Sequence, residues 1–471
     1  MLSADRLEWI EGWGEVLGGA GYVFRPSILE GIRVALREAG AGGVSVALRG
    51  TGCSYGDAAL RAENIILDLS RMDRILSWDG ETGIIDVEPG VTLRRLWRFV
   101  LGDGWWPPVV TGTMETSVGG CLGMNVHGKN NWARGTFGEH CLEFDLMTAD
   151  GELRTVSRND DPETFNAVIG SFGLLGVITR ARLQMKKITS GLVEAKAVSA
   201  GDLETLLRLT DEAKDQWEYV VGWIDAFPRG RKLGRGLLHF ARHLEPGEDA
   251  EPAQTLRAEA QDLPEDVFMM PKSAIWRLIK PFTNRLGMKW INRLKYLSGA
   301  TLGEGAIYRQ TFAEFSFLLD YVPNWKRIYR PGGLIQHQSF VPVDQAEAVF
   351  RRQLEACQKA RLPSFLGVVK RHRPDDFLMG HGLDGFSLAL DFPVIAGRQE
   401  RLWQLVRTMA EDVVDAGGRF YAAKDAAIPG ELYRASFRED QVERLLALKA
   451  ELDPQALLRT ALGDRLLEAW Q

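Results

Sequence analysis

A short apolar run that breaks into a glycine-rich turn constrains this chain more than any other feature of its sequence. Residues 44–48 predict a buried strand, and residues 49–57 place Gly50, Gly52 and Gly56 directly after it. Glycine lets the backbone bend sharply and approach a ligand closely, so that successive N–H groups can point at one anion. The turn therefore predicts a phosphate-binding loop, with an ordinary surface loop as the alternative.

The glycine spacing separates this turn from the common dinucleotide-binding motif. That motif has Gly-x-Gly-x-x-Gly at the opening of a helix. Here the third glycine comes one residue late, and the next apolar run, residues 64–68, starts too soon for a crossover helix. The sequence thus predicts an anion-binding loop of another type.

A second glycine-rich stretch covers residues 109–130. It is rich in Gly, Thr and Ser, carries almost no charge and ends in His127-Gly128-Lys129-Asn130. A buried polar loop needs partners for its backbone groups, and a large polar cofactor would supply them. The alternative is a tight structural turn with a hydrogen-bonded histidine.

The pattern of strands and helices changes after residue 190. Before it, Ser27 and Glu30 suggest a capping box for a helix over residues 27–39, and residues 144–148 and 153–156 flank Asp-Gly as a hairpin. After it, strands are predicted at 192–199, 218–225, 235–241, 334–342, 364–370, 384–392 and 419–424, with helices at 202–216, 344–361 and 398–416. The two halves share a β-α-β-β order, which suggests a topological repeat. The alternation predicts an α+β fold, in which an antiparallel sheet has helices on one face.

Three segments follow from this pattern. We predict a two-part cofactor-binding domain at 1–190, a substrate domain at 191–425 with an insertion at about 244–330, and a helical segment at 426–471 that docks on the first domain. Within the insertion, residues 272–297 have seven basic residues, no acid, an amphipathic pattern and a kink at Pro281. Such a segment can lie on an anionic membrane surface. The alternative is a helical pair packed on its own domain.

Composition excludes several classes of protein. The net charge is −6 and the pI about 5.8, which argues against nucleic-acid binding. The four cysteines, Cys53, Cys121, Cys141 and Cys357, lack metal-ligand spacing, and His239 and His243 have no third ligand in a metal motif. The N-terminus has no signal-peptide pattern, and no apolar run reaches about 18 residues. We therefore expect a reduced, metal-free, cytoplasmic protein.

Six motifs together resemble the vanillyl-alcohol-oxidase-type (PCMH-type) FAD-binding family over nearly the whole chain. They are residues 49–57, Val118-Gly-Gly120 with residues 127–130, residues 170–176, Gln336-His-Gln338, Asp391-Phe-Pro393 and residues 421–425. The first two are specific for the flavin fold, and the last three resemble a sugar-phosphate oxidase branch.

The resemblance implies site residues. Those expected to bind FAD are Arg49, Gly50, Thr51, Gly52, Cys53, Ser54, Tyr55 and Gly56 around the pyrophosphate, with Gly112, Ser117, Val118, Gly119, Gly120, His127, Asn130, Val177 and Tyr421. Those expected to face the substrate are Lys129, Gln336, Gln338, Lys370 and Lys424. Many members of the family tether FAD through a histidine at the position of Cys53. We therefore expect non-covalent FAD, with a cysteine–flavin thioether as the alternative.

Three side chains are expected to be catalytic. A cation held where charge develops stabilises it, which suits Lys424. Oxidation of an alcohol also releases the hydroxyl proton, and His127, Tyr421 and neutral Lys424 are candidates for accepting it. Lys370 suits a phosphate as a point charge. For each lysine the alternative is a surface salt bridge.

The resemblance also implies a reaction. It suggests FAD-dependent oxidation of a sugar secondary hydroxyl to a ketone, on the 2′-hydroxyl of a (polyprenyl-)phosphoryl ribose. A short-chain reductase partner would then complete an epimerisation, and residues 272–297 would contact the inner face of the plasma membrane. The alternatives are an oxidase of a free sugar, alditol or aldonolactone, and a non-catalytic flavoprotein scaffold.

Overall fold

The computed structural model describes residues 2–267, 270–301 and 304–467. Residues 468–471 of the predicted C-terminal segment lie outside the described residues, as do four positions of the predicted insertion. The strands are β1 (Leu7–Glu11), β2 (Gly18–Phe24), β3 (Val46–Arg49), β4 (Ile65–Asp68), β5 (Ile75–Asp79), β6 (Ile84–Val87), β7 (Trp105–Trp106), β8 (Cys141–Met147), β9 (Leu153–Ser157), β10 (Val177–Gln184), β11 (Lys186–Lys187), β12 (Leu192–Ala200), β13 (Tyr219–Ile224), β14 (Gly236–His243), β15 (Asp266–Val267), β16 (Met270–Pro271), β17 (Ile307–Thr311), β18 (Leu334–Pro342), β19 (Leu366–His372), β20 (Gly385–Pro393) and β21 (Arg419–Phe420). The α-helices are α1 (Leu29–Gly42), α2 (Leu93–Val100), α3 (Val118–Gly123), α4 (Asn131–Arg134), α5 (Pro162–Val168), α6 (Leu203–Ala213), α7 (Pro252–Thr255), α8 (Lys272–Ile279), α9 (Arg285–Thr301), α10 (Phe312–Ser316), α11 (Ala346–Lys359), α12 (Gln399–Asp415), α13 (Gly430–Ala435), α14 (Glu439–Leu452) and α15 (Ala461–Leu467).

The N-terminal part contains two larger sheets and the two-stranded sheet β7-β11. The first has the order β1-β2-β4-β3, and the second has the order β5-β6-β10-β8-β9. Strands β3 and β4 are parallel, with Val46 opposite Ile65 and Arg49 opposite Asp68. Parallel neighbours need a long connection, and here the glycine turn and a helix-free loop provide it instead of a crossover helix. The turn therefore leaves the edge of a rigid sheet.

The N-terminus of helix α1 differs from the predicted capping box. The helix begins at Leu29, and Ile28 occupies the N-cap position without a side-chain hydrogen bond. Ser27 therefore does not cap it, and that part of the prediction is wrong. Glu30 instead pairs with Arg33 and Arg37 on the helix surface.

The C-terminal part is built on an eight-stranded sheet. Its order is β17-β12-β14-β13-β19-β20-β18-β21, and all of its recorded pairings are antiparallel. The triplets β12-β14-β13 and β18-β20-β19 mirror each other about the central pair, which is the topological repeat predicted from the sequence. Helices α6, α11 and α12 pack on one face of this sheet, as the α+β prediction requires.

The last predicted strand is shorter than expected. Only Arg419 and Phe420 pair with β18, and residues 422–424 form a 3-10 turn. The strand prediction for 419–424 is therefore wrong beyond Phe420. The turn directs Tyr421 and Lys424 toward the opposite face of the sheet, which α6, α11 and α12 do not cover and on which α9 packs at β12 and β14.

The insertion brings two further helices to the molecule. Helix α9 packs on β12 and β14, and its Met288 and Asn292 are buried. Its other side carries large apolar side chains in solvent, with Leu286 72%, Trp290 60% and Leu294 62% exposed. In the described ranges, no helix combines the length and apolarity needed to cross a membrane.

Candidate functional site

The glycine turn has the backbone that an anion-binding loop requires. Gly52 has a φ of +71°, which glycine adopts at little cost. The N–H groups of Thr51, Gly52, Cys53 and Ser54 donate no hydrogen bond to another described residue. Buried or half-buried N–H groups usually have partners, so this row of free donors fits a bound phosphate or pyrophosphate.

The second glycine-rich loop closes against the first. A Cβ on Gly50 would lie 2.2 Å from Ser117 Oγ. The two loops can therefore approach this closely because Gly50 has no side chain. The buried Ser117 Oγ has no hydrogen-bond partner among the described residues. An orphaned buried hydroxyl is rare, and it offers a polar contact to a ligand held between the loops.

The two loops and the open face of the eight-stranded sheet enclose a cavity of about 560 Å³. Because side chains alternate along a strand, β18, β19 and β20 each present every second residue to it. The predicted residues that line it are Arg49, Gly50, Thr51, Gly52, Cys53, Ser54, Tyr55, Gly112, Ser117, Gly119, Gly120, His127, Lys129, Gln336, Gln338, Lys370, Tyr421 and Lys424. The structure therefore gathers residues from distant parts of the chain around one space.

His127 is held between two side chains of the sheet. Gln338 Nε2 lies 3.0 Å from His127 Nε2, and Lys370 Nζ lies 3.3 Å from His127 Nδ1. Burial, followed by the charge of Lys370, lowers the pKa of His127 well below its ordinary value. The imidazole is therefore neutral at neutral pH. Burial and the charge of Lys424 also lower the pKa of Lys370 to about 7.

Lys424 lies beside the glycine turn. Its Nζ stands 3.6 Å from the centre of the Tyr55 ring, and burial lowers its pKa to about 8. The nearby Asp391 accepts a hydrogen bond from Gln336, and burial raises the pKa of its carboxyl to about 6. Burial also raises the pKa of Tyr421, which therefore stays a neutral phenol.

The cavity is strongly cationic. Lys129, Lys370 and Lys424 line it, and none forms an ion pair with a described carboxylate. Asp391 is the one acid among the described lining residues. Unpaired buried lysines are costly, so their arrangement fits anionic ligands.

Four predicted site residues lie outside the cavity lining. A Cβ on Gly56 would meet Asp425 O at 2.0 Å, so this glycine allows two loops to pack. Asn130 Nδ2 donates to Pro108 O at 2.9 Å. Val118 and Val177 are buried in the hydrophobic core. The neighbours of Val177, Gly176 and Ile178, line the cavity instead.

Several lining residues were not predicted from the sequence. Trp223 on β13, His239 on β14 and Lys295 on α9 line the end of the cavity beyond Lys370. Strand alternation could have placed Trp223 and His239 on one face, but the sequence does not show which face is open. Lys295 had no signal beyond its place in the basic segment.

Cys53 lies in the cavity lining, on the glycine turn. Burial raises the pKa of the Cys53 thiol. The hydrogen bond between Cys53 and Thr51 lowers this pKa, but by less than burial raises it. The described residues contain no group of three or more His, Cys, Asp or Glu that could hold a metal ion. The lining groups thus suit anion binding and proton transfer.

Comparison with known proteins agrees with this geometry. Residues 20–157 match the FAD binding domain family. Decaprenylphosphoryl-β-D-ribose oxidase of Mycolicibacterium smegmatis is 30% identical over 97% of this chain and 96% of its own length. A protein of Streptomyces coelicolor is 28% identical over 80% of this chain and 100% of its own length. The probable mitochondrial D-lactate dehydrogenase of Danio rerio is 30% identical over 28% of each chain.

Proposed function

The chain belongs to the family of FAD-dependent oxidoreductases that contains decaprenylphosphoryl-β-D-ribose oxidase, and from this premise we propose that it oxidises the 2′-hydroxyl of a phosphoryl-linked ribose to a ketone. The observation that carries the proposal is the cationic cavity between the glycine loops and the sheet. It is lined by four lysines, Lys129, Lys295, Lys370 and Lys424, without carboxylate partners in the described ranges. A phosphoryl sugar would stabilise the charged form of these lysines, whereas a neutral free sugar would not.

The cofactor is FAD, and we propose that the two glycine loops hold it. The free N–H groups of residues 51–54 and the hydroxyl of Ser117 are its expected partners. Bound FAD supplies the hydride acceptor. Non-covalent binding is supported by the raised pKa of Cys53, because a protonated thiol is a poor nucleophile.

The remaining residues divide into charge and proton roles. Lys424 supplies a cation inside the cavity, where it would stabilise the negative charge that develops on the cofactor as the hydride is transferred. The site favours His127 over Tyr421 as the proton acceptor, since the imidazole is neutral while the phenol keeps its proton. A proton taken by His127 can pass to Lys370, 3.3 Å away, whose pKa of about 7 leaves part of it as the neutral amine near neutral pH. Gln338 orients the imidazole from its other side.

We propose that α8 and α9 place the protein on an anionic lipid surface at the inner face of the plasma membrane. The exposed side chains of Leu286, Trp290 and Leu294 form one stripe on α9, and Lys289 and Arg293 flank it. Amphipathic helices with this composition bind at the membrane interface. A lipid-linked substrate would be available there, and a short-chain reductase would act on the ketone to complete an epimerisation.

Anaerobic reduction of bound flavin tests the proposed reaction. The FAD-loaded protein is mixed with farnesylphosphoryl-β-D-ribose, methyl β-D-ribofuranoside or xylitol, and the flavin absorbance is followed. We expect the phosphoryl ribose to bleach the flavin fastest. Faster bleaching by xylitol would favour the alditol oxidase, and no bleaching by any sugar would contradict both.

Substitution of Lys424 tests its role. Lys424→Met is expected to slow flavin reduction by about 10²–10³-fold, because it removes a charge-stabilising group. Lys359→Met, at an exposed lysine of α11 outside the cavity, is the matched control. With its pKa at about 8, the lysine loses its charge as the pH rises, so the wild-type rate should fall above about pH 8. An unchanged pH profile in Lys424→Met would rule out this assignment.

A further inference from the structure

The cavity has a second end where Trp223, His239 and Lys295, which have no role in the proposed chemistry, line it. There, His239 projects from β14, Trp223 from β13 and Lys295 from α9. The glycine turn contacts the chain at the opposite edge of the sheet, just after β21, where Tyr55 N donates a hydrogen bond to Ala423 O at 2.9 Å. Strand β14 lies four positions from β18, which is roughly 19 Å at 4.8 Å per strand. This end is therefore separate from the pyrophosphate loop.

Two ammonium groups are held at this end by aromatic rings. Lys295 Nζ lies 4.4 Å from the centre of the Trp223 ring, and Lys129 Nζ lies 4.4 Å from the centre of the Phe315 ring. Neither pairs with a carboxylate in the ranges that the structure describes. The rings fix the positions of the lysines without neutralising them.

The pKa values support a shared positive field. Burial, followed by the charges of Lys295 and Lys129, lowers the pKa of His239 to about 4. Burial also lowers the pKa of Lys129 to about 7. Lys295 is exposed, and the protein around its ammonium group lowers its pKa. A bound anion would stabilise the charged form of each lysine.

Helix α9 connects this cationic end to the exposed apolar stripe. Met288, Asn292, Lys295 and Gly299 follow one another at helical spacing and face the sheet, where a Cβ on Gly299 would lie 2.4 Å from Leu237. Trp290 and Leu294 lie on the solvent side of the same helix. A group bound at Lys295 is thus one helix diameter, about 10 Å, from the proposed lipid surface.

We propose that Lys129, His239 and Lys295 form a subsite for the phosphoryl group of the substrate. The proposal rests on the proposed function and deepens it, since the ribose would lie between this subsite and Lys424. The ligand chemistry is an anionic phosphate ester that accepts hydrogen bonds from two ammonium groups and an imidazole. A phosphate on an isoprenoid and one on a free sugar share this chemistry.

Binding to FAD-loaded protein tests the subsite without turnover. Farnesyl phosphate and ribose 5-phosphate are titrated separately by calorimetry. Lys295→Met keeps the packing over Trp223 and removes one charge, so affinity for both should fall about 10–100-fold. Lys295→Arg should retain most of the affinity because it keeps the charge. Lys359→Met, at an exposed lysine on α11 outside the cavity, should bind like the wild type.

The affinities of the wild-type protein for the two ligands distinguish an isoprenoid phosphate from a sugar phosphate. Tighter binding of farnesyl phosphate than of ribose 5-phosphate assigns the subsite to a lipid-linked ester, and equal affinities assign it to phosphate alone. His239→Gln provides a second variant if Lys295→Met melts at a lower temperature than the wild type.

Kinetics separate failure of the subsite from failure of the function. If farnesylphosphoryl ribose bleaches the wild-type flavin and both variants bind farnesyl phosphate as the wild type does, the subsite is overturned while the function stands. Equal losses for farnesylphosphoryl ribose and methyl ribofuranoside would also overturn it. If the wild type binds farnesyl phosphate and the variants do not, yet no ribose bleaches the flavin, the subsite stands and the proposed function falls.

Discussion

Arg465 joins the C-terminal helix α15 to both loops that lead into the cavity. Its guanidinium makes two hydrogen bonds to Asp57, at 2.8 and 3.1 Å, and one to Asp425 at 2.7 Å. A further bond goes to Ile428 O at 2.8 Å. Asp57 ends the glycine turn, and Asp425 follows Lys424. We therefore predict that Arg465 stabilises the cavity from behind.

The magnitude follows from burial. The side chain of Asp425 is 2% exposed and that of Asp57 is 10% exposed, so Arg465→Met leaves two carboxylates without their cation. Removal of one partner from a buried pair costs about 3–5 kcal/mol. At roughly 2.1 cal/mol/K per residue, a chain of 471 residues that unfolds as one unit has an unfolding entropy of about 1 kcal/mol/K. The melting temperature should therefore fall by about 3–5 °C.

Calorimetry of wild type and variant in saturating FAD measures this shift. Arg407→Met is the control, because Arg407 and its partner Glu431 are 42% and 58% exposed, and surface pairs contribute about 0–1 kcal/mol. Arg465→Lys should lie between the wild type and Arg465→Met, since it keeps the charge and loses the fork. A fall of less than about 1 °C in Arg465→Met, or an equal fall in Arg407→Met, would refute the reasoning.

Three further outcomes are expected. Gly50→Ala should lose most of its bound flavin on gel filtration, because the added Cβ would lie 2.2 Å from Ser117 Oγ, whereas Gly102→Ala, with nothing within 4 Å, should retain it. Burial raises the pKa of the Asp391 carboxyl from 3.8 to about 6 in the folded protein. The folded state therefore binds more protons than the unfolded state between about pH 4 and pH 6, and the free energy of unfolding should fall as the pH rises across this range. Urea unfolding of the Asp391→Asn variant should not show this fall. Trp290→Asp should reduce co-sedimentation with phosphatidylglycerol vesicles and leave flavin reduction by methyl β-D-ribofuranoside unchanged, and equal sedimentation would contradict membrane contact through α9.

Much of the fold could be predicted because its signals are local. The hairpin around Asp150-Gly151 forms as predicted by β8 and β9, and the β-α-β-β repeat gives the mirrored order of the large sheet. The capping box at Ser27 failed because an N-cap depends on a helix boundary that sequence places only within one or two residues. The domain boundaries stay predictions, as do the assigned roles of the site residues.

The glycine turn, the motif residues and the family could be read from residue identities at fixed spacing. The FAD cofactor and the oxidoreductase class were predicted from the same motifs, and the comparisons confirm both. Which face of the large sheet borders the cavity, and which lysines lack carboxylate partners, became clear from the folded arrangement. Charge balance depends on groups far apart in the chain, and Lys295 and His239 join Lys129 only when α9 and β14 pack around one cavity.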